Sequence, residues 1–197
     1  MNKDQVKELL LQALETEAGG VQIYTAALEC AENEELRQEW AEYLEQTREH
    51  EETLRNILAE LEIDPEEETP GRQVVRHLGE SLLKAMEMAI QSGDRAGAQL
   101  VASECVVLAE TKDHHNWGLL GEIAQQSKGA LAQALKETYE DIEEQEDQHL
   151  YHTRGWSREL WMESLGLPAV LPPPEEEKDV KSAIGAERAK KARKKML

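Results

Sequence analysis

The sequence predicts an all-α protein, a four-helix bundle arranged as two antiparallel hairpins. Phe is absent, whereas Ala, Leu, Glu, Gln and Lys are abundant, and this composition favours helix over sheet. Apolar residues recur at steps of three and four along four segments, which indicates one buried face on each helix. An apolar content of 40% over 197 residues supports a single domain with a sizeable core.

Two capping residues delimit the first hairpin. Asn2 is suited to cap a first helix that reaches about Cys30, and Asn33 is suited to cap a second helix that ends near Glu62. An Asp-Pro and a Thr-Pro-Gly sequence follow and stop the helical pattern. The short turn between the two helices makes them antiparallel neighbours.

The second hairpin follows a crossover that contains a short extra helix. This helix is predicted over roughly 72–91. Asp94 is suited to cap a third long helix to about Gln125, and the turn 127–129 leads into a fourth that reaches about Ser164. The crossover is long enough to span the bundle, so the two hairpins can pack side by side.

The chain is predicted to divide into a bundle (1–166), a linker (167–180) and a tail (181–197). The linker is rich in Pro and Glu and is expected to be extended and solvated. The tail is basic, with six Lys or Arg against one Glu from 187 to 197. With little apolar face, it is expected to be at best a marginal helix on its own.

Charge and composition restrict the partners and the location of the protein. The net charge of −19 disfavours nucleic-acid phosphates as partners, except through the basic tail. No apolar run approaches the roughly 20 residues of a membrane-spanning helix, and the polar N-terminus shows no secretory signal. Cys30 and Cys105 lie outside any paired motif, so we expect them to be reduced in a cytoplasmic protein.

Polar side chains interrupt all four apolar faces at matching places. Glu17 interrupts the first face, His50 the second and Glu110 the third. Glu146 and His149 interrupt the fourth and form an E-x-x-H pair, whose spacing directs both side chains to one face. A buried ionised carboxylate is costly unless something pairs with it.

Hairpin arithmetic places these five residues at one level of the bundle. From a turn near Asn33, Glu17 lies about 16 residues back and His50 about 17 residues on. From a turn near Gly129, Glu110 lies about 19 residues back and the E-x-x-H pair about 17 and 20 residues on. With a rise of about 1.5 Å per residue, each Glu is level with the His of its partner helix to within about one turn.

Such a set of residues is typical of a carboxylate centre for two metal ions. Carboxylates can bridge two divalent ions and offset their charge, while a neutral imidazole supplies a terminal nitrogen. A structural alternative is that each buried Glu only accepts a hydrogen bond from an aromatic donor. Tyr24 and Trp117, seven residues after Glu17 and Glu110, are the candidate donors.

Four short sequence features carry a resemblance to a known family. They are Glu17 with Tyr24, Asn-Glu-Glu-Leu followed by Leu-Glu-Gln-Thr-Arg-Glu-His, Glu110 ahead of Trp-Gly, and Leu-Lys-Glu-Thr before the acidic stretch that ends at His149. With these features the chain resembles the ferritin-like superfamily over roughly 5–160, and within it the YciE/YciF-type stress proteins.

The resemblance implies a bundle that holds a non-haem di-iron or di-manganese centre, in a homodimer. Glu17 and Glu110 match the bridging carboxylates of the family. Glu146 and His149 match one terminal pair, and His50 matches the His of the other.

Thr47 departs from the family pattern, because it occupies the second terminal Glu position. Thr is a poor ligand for a divalent ion, so a single occupied metal position is an alternative to two. His114, one turn after Glu110, is a residue that could compensate. The other histidines outside the predicted site are expected on the surface: His77, His115 and His152.

The resulting hypothesis is a cytoplasmic metalloprotein that handles Fe(II) together with O₂ or peroxide, in iron oxidation or peroxide detoxification under stress. One alternative is a non-catalytic bundle in which the metal site has decayed and the acidic body or the tail binds a partner. Another is a stress protector that its basic tail tethers to DNA.

Overall fold

The computed structural model describes residues 1–136, 138–178 and 180–197. Within these ranges all regular structure is helical, which confirms the all-α class. The helices are α1 (Lys3–Cys30), α2 (Glu34–Glu60), α3 (Pro70–Gln91), α4 (Arg95–Gln126), α5 (Ala130–Lys136), α6 (Tyr139–Ser164), α7 (Pro174–Glu177) and α8 (Ala183–Met196).

The first helices begin at the residues suited to cap them. Asn2, Asn33, Thr69 and Asp94 precede α1 to α4, and the side chain of each accepts a hydrogen bond from a backbone N–H of the first turn. Gly129, in the turn before α5, has a φ of +73°, which a residue without a Cβ adopts at little cost.

Four long helices, α1, α2, α4 and α6, form the bundle. α1 packs against α2 and α4, and α6 packs against α4 and α2, so the four helices close a ring around the core. The amide oxygen of Gln99 accepts from the backbone of Glu32, whereas Trp117 donates to Glu17. α1 and α4 are therefore antiparallel.

Contacts between α2 and α6 set their direction in the same way. Tyr43 contacts His152, and His50, about two turns later on α2, contacts Gln145, about two turns earlier on α6. α2 and α6 are therefore antiparallel as well. The crossover helix α3 packs on the outside of α1 and α4.

The bundle core has two apolar clusters with a polar layer between them. One cluster, which includes Leu36, Trp40 and Trp156, lies towards the α1–α2 turn. The other, which includes Leu10 and Leu54, lies towards the opposite end. Dry packing on both sides holds the polar side chains between them in a low-dielectric environment.

The prediction of the fourth helix as one continuous segment from about 130 to 164 is wrong in one respect. The structure divides it into α5, which ends at Lys136, and α6, which begins at Tyr139. The Tyr139 ring packs where a side chain on Gly121 of α4 would stand, 2.1 Å from an ideal Cβ position there. The break thus coincides with a tertiary contact, and the sequence has no Pro or Gly from 130 to 154 to signal it.

The linker is not extended and solvated throughout, which differs from its prediction. Pro173, Pro174 and Glu175 are buried, and Glu175 accepts two hydrogen bonds from Arg158 of α6, at 2.7 and 2.9 Å. Gly155 of α6 makes room for this contact, since a Cβ there would lie 2.8 Å from a Glu175 oxygen.

Helix α8 is docked by its own ion pair. Arg193 donates to Glu159 of α6 at 2.5 Å, and the Glu159 side chain is fully buried. Burial alone would raise the pKa of Glu159, but Arg158, the Val170 amide and Arg193 outweigh it and hold that pKa below its usual value. An ionised Glu159 therefore anchors the basic helix to the bundle.

Two further expectations concern the membrane and the cysteines. Over the described ranges, none of the helices combines the length and the apolar character that crossing a bilayer requires. Cys30 and Cys105 are buried free thiols.

Candidate metal centre

The structure brings the five predicted site residues together in the polar layer of the core. None of them is more than 3% exposed. They come from all four helices of the bundle: Glu17 from α1, His50 from α2, Glu110 from α4, and Glu146 and His149 from α6.

One half of the layer is formed by Glu17, His50 and Glu146. His50 Nδ1 lies 3.0 Å from Glu146 Oε1 and 3.5 Å from Glu17 Oε1. In the other half, His149 Nδ1 lies 3.5 Å from Glu146 Oε1 and 3.7 Å from Glu110 Oε2. Ligand atoms about 2.1 Å from one ion are about 3.0–3.5 Å apart, so each half has the spacing of a metal site.

Glu146 belongs to both halves. In each three-residue group the candidate ligand atoms all lie within 4.8 Å of one another, and Glu146 is the member that the two groups share. The resemblance implied that Glu17 and Glu110 are the bridging carboxylates. In this arrangement Glu146 is the carboxylate that lies near both imidazoles, whereas Glu17 and Glu110 each lie near one.

A pair of glutamines orients the two imidazole rings. His50 Nε2 lies 2.7 Å from Gln145 Oε1, and His149 Nε2 lies 2.6 Å from Gln46 Oε1. Each Gln precedes one His by four residues but contacts the other, so the two contacts cross between α2 and α6. When each Nε2–H donates to its Gln oxygen, the lone pair of Nδ1 faces the carboxylates, as a metal ligand requires.

Replacing Gln145 by Leu is expected to weaken metal binding about 10–100-fold, because His50 loses the partner that fixes its ring. The measurement is isothermal titration of the metal-free protein with Mn²⁺. Gln125→Leu, at an exposed position of α4, is the matched control and should bind like the parent. Equal affinities in the two variants would show that the Gln contact does not position the ligand.

Several polar atoms of the layer lack a hydrogen-bond partner within the described part of the chain. They are Glu17 Oε2, His50 Nδ1, Glu110 Oε2, both carboxylate oxygens of Glu146 and His149 Nδ1. Leaving buried polar atoms unpaired is costly, typically about 1–3 kcal/mol each. A set of unpaired atoms that all face one space is explained if a cation fills that space.

The electrostatics of the layer favour a cation. Burial alone would lower the pKa of His50, but Glu146 and Glu17 outweigh it and raise that pKa to about 11. Burial also raises the pKa of Glu146 to about 7, although the neighbouring His50 imidazole opposes the increase. In the absence of metal, a proton on His50 thus partly neutralises the acids, and a metal ion would replace it.

Asp113 is a site residue that the sequence analysis missed. Helix α4 directs Asp113 inwards and leaves His114 partly exposed, 2.7 Å from Asp147. Burial, followed by the charges of Glu17, Glu146 and Glu110, raises the pKa of Asp113 well above its usual value. His114, which the sequence left open as a replacement for the missing acid at Thr47, instead pairs with Asp147 and is not in either Glu/His group.

Aromatic residues frame the layer. Trp117 Nε1 donates to Glu17 Oε1 at 2.7 Å, as the sequence alternative allowed. The Tyr24 hydroxyl is buried, and burial together with the Glu110 carboxylate raises its pKa well above the usual value. Thr47 is also buried, at the departure from the family pattern, with its methyl group against Gly20.

The remaining histidines divide into two kinds. His77 and His115 are exposed, as expected. His152 is only 6% exposed, so its predicted surface position is wrong. It is buried because α7 and the residues after it fold over that face of α6, and its Nε2 contacts the carbonyl of Val180.

Comparison of the chain with known protein families, with characterised proteins and with solved structures finds no significant match. The function therefore has to be inferred from the geometry of the site.

Proposed function

We propose that the protein is a ferritin-like, non-haem metalloprotein whose core binds two iron or manganese ions. The observation that carries this proposal is the pair of buried Glu/His groups that share Glu146. The antiparallel ring of α1, α2, α4 and α6, with one crossover, is compatible with ferritin-like connectivity.

The residues present fit the proposed ions. Mixed carboxylate and imidazole ligands suit Fe and Mn, and carboxylates offset the charge of two close divalent ions. Glu17 and His50 would hold one ion, Glu110 and His149 the other, and Glu146 both. Asp113, beside Glu17, adds an acid on the side of the centre where Thr47 supplies none.

The reaction that this centre would support is oxidation of Fe(II) by peroxide or O₂. Two ferrous ions supply the two electrons that, with two protons, convert one hydrogen peroxide into two water molecules. The chain contributes a buried polar layer, fixed imidazoles and acids that attract the cations. We place the protein in peroxide or iron handling under stress, as a homodimer in the cytoplasm.

The direct test of metal binding is a comparison of thermal unfolding with and without Mn²⁺. At about 100 times the dissociation constant, binding stabilises the native state by about 2.7 kcal/mol, which corresponds to a rise in Tm of about 5–10 °C. Glu110→Gln affects one of the two groups and should therefore lose a substantial part of this rise. Glu122→Gln, exposed on the same helix, removes the same charge and should keep it.

A rise of equal size in both variants would contradict the proposal, as would no rise in the parent protein. Peroxide-dependent oxidation of Fe(II), followed by absorbance, then tests turnover separately from binding. If the protein binds Mn²⁺ but does not oxidise Fe(II), the proposed metal site stands and the proposed enzymatic activity is wrong.

A non-catalytic bundle is the second candidate, and Thr47 is the observation that favours it. Without a second terminal acid, the side chains of the layer would serve as an internal hydrogen-bonding network. In that case Tm is insensitive to metal ions, and the Glu110→Gln and Glu122→Gln variants behave alike.

A further inference from the structure

A second group of metal-binding side chains lies outside the bundle centre. It consists of Glu39 of α2, His152 of α6 and Glu176 of α7, and the candidate ligand atoms lie within 4.8 Å of one another. No residue of this group belongs to the central site. The group lies where the C-terminal segment meets the bundle.

The imidazole of this group is buried and oriented. His152 is 6% exposed, and its Nε2 lies 2.9 Å from the carbonyl oxygen of Val180. When that Nε2–H donates to the carbonyl, Nδ1 is left facing Glu176 Oε1 at 3.2 Å and Glu39 Oε1 at 3.6 Å. The Tyr43 hydroxyl lies 2.9 Å from the same nitrogen.

The two carboxylates are also held in place. Trp156 Nε1 donates to Glu39 Oε2 at 2.6 Å and contacts Glu176 Oε1 at 3.1 Å. Glu39 Oε1 is buried and has no hydrogen-bond partner among the described residues, and its side chain is 11% exposed. This unpaired oxygen and His152 Nδ1 are spaced like two ligands of one ion.

A cavity gives solvent access to the group. It has a volume of about 440 Å³ and is lined by Glu39, His152 and Glu176 together with further acids, Glu35, Glu42 and Glu177. The surrounding negative charge raises the local concentration of cations. Exchange with solvent is thus easier here than in the closed central layer.

We propose that Glu39, His152 and Glu176 bind one divalent transition-metal ion, which clamps the C-terminal segment to the bundle. Two carboxylates and an imidazole suit Zn²⁺, Mn²⁺ or Fe²⁺ better than Mg²⁺ or Ca²⁺, which prefer oxygen ligands alone. Only Glu176 comes from the C-terminal segment, so an ion at this position joins α7 to α2 and α6. Helix α7 has only four residues and no side-chain hydrogen bond at its N-cap, so it has little stability of its own. An ion that joins it to the bundle is therefore expected to hold it in place.

A proton is the competing occupant. A protonated His152 between two carboxylates would form an ion-paired triad without any metal, and metal binding must displace that proton. The test is therefore made at about pH 8, where the competition is weaker than at acidic pH.

The experiment uses the full chain, with Zn²⁺ as the probe and Glu146→Gln as the background that removes the central site. Isothermal titration should find one Zn²⁺ per chain in this background and none after Glu176→Gln is added. Adding Glu163→Gln instead removes the same charge at an exposed position of α6 that does not line the cavity, and should keep the ion. Circular dichroism confirms that each variant is folded.

The effect of the ion on the C-terminal segment is measured separately, as the rate at which trypsin releases α8. Zn²⁺ at about ten times its dissociation constant should slow release about tenfold in the Glu146→Gln protein and in its Glu163→Gln derivative, but not in the Glu176→Gln derivative. The same difference is expected between the parent protein and the single Glu176→Gln variant.

Equal Zn²⁺ stoichiometry with and without Glu176, or release of α8 at an unchanged rate when Zn²⁺ is bound, would overturn the proposal. Absence of metal binding at the central site would be a separate result. It would appear as equal Zn²⁺ binding by the parent and the Glu146→Gln protein, while Glu176→Gln still removed one ion.

Discussion

Substitution of Glu146 by Gln is expected to abolish metal binding at both central positions. Glu146 is the member that the two Glu/His groups have in common, and a neutral amide neither bridges two cations nor offsets their charge. Glu17→Gln and Glu110→Gln each affect one group, so each should remove one ion and leave the other. We expect at least about a 100-fold loss of affinity at each affected position.

The measurement is the number of Mn²⁺ ions per chain by equilibrium dialysis and elemental analysis, corrected for the C-terminal group with Glu176→Gln. Glu140→Gln, at an exposed position of α6, is the control for loss of one surface charge. If Glu146→Gln loses only one ion, as the other two variants do, Glu146 serves a single position and the shared-ligand geometry is wrong.

Metal affinity at the centre is expected to increase about tenfold for each pH unit between about pH 7 and 9. His50 has a pKa of about 11 in the folded protein, because Glu146 and Glu17 outweigh the effect of burial. At neutral pH a metal ion must therefore displace a proton from its nitrogen. Below about pH 7 the dependence should become steeper, since Glu146, with a pKa of about 7, then also carries a proton.

The stability of the metal-free protein depends on pH in the opposite direction. The pKa of His50 is raised from 6.5 to about 11 on folding, so the stabilisation from its protonated form is complete below pH 6.5 and is lost as the pH rises towards 11. Titrations of Mn²⁺ in buffers of different ionisation enthalpy measure the protons released. A pH-independent affinity with no proton release would mean that His50 is not a ligand.

The sequence predicted the central layer because two independent patterns agreed. The interruptions of the apolar faces identified Glu17, His50 and Glu110, and the distances from the two turns placed them at one level. Short turns fix the axial register of antiparallel helices, so residue counting carries real spatial information in a hairpin. The Gln-x-x-x-His repeat on α2 and α6 was also present in the sequence, but its crossed contacts were not foreseeable without the packing of the two helices.

The choice between Asp113 and His114 shows where periodicity fails. A helical face continues equally well by a step of three or of four residues, and both steps from Glu110 lead to a residue that can bind metal. The rotation of α4 against α1 and α6 decides between them, and a single sequence does not encode that rotation visibly.

The prediction that the linker is extended and solvated is wrong for a related reason. Its Pro and Glu content is typical of a solvated linker, yet Glu175 and Glu176 each meet a buried or half-buried partner on α6, Arg158 and His152. Such long-range pairs leave no periodic signal in the sequence. The buried position of His152 follows from the same folding-back.

The most direct test of the central proposal is an anomalous-scattering map from crystals grown with Mn²⁺. We expect two peaks about 3.5–4 Å apart in the polar layer, one against Glu17 and His50 and the other against Glu110 and His149, with Glu146 between them. A map with no peak there, and with His50 and His149 hydrogen-bonded directly to the carboxylates, would contradict the assignment of this protein as a metalloprotein.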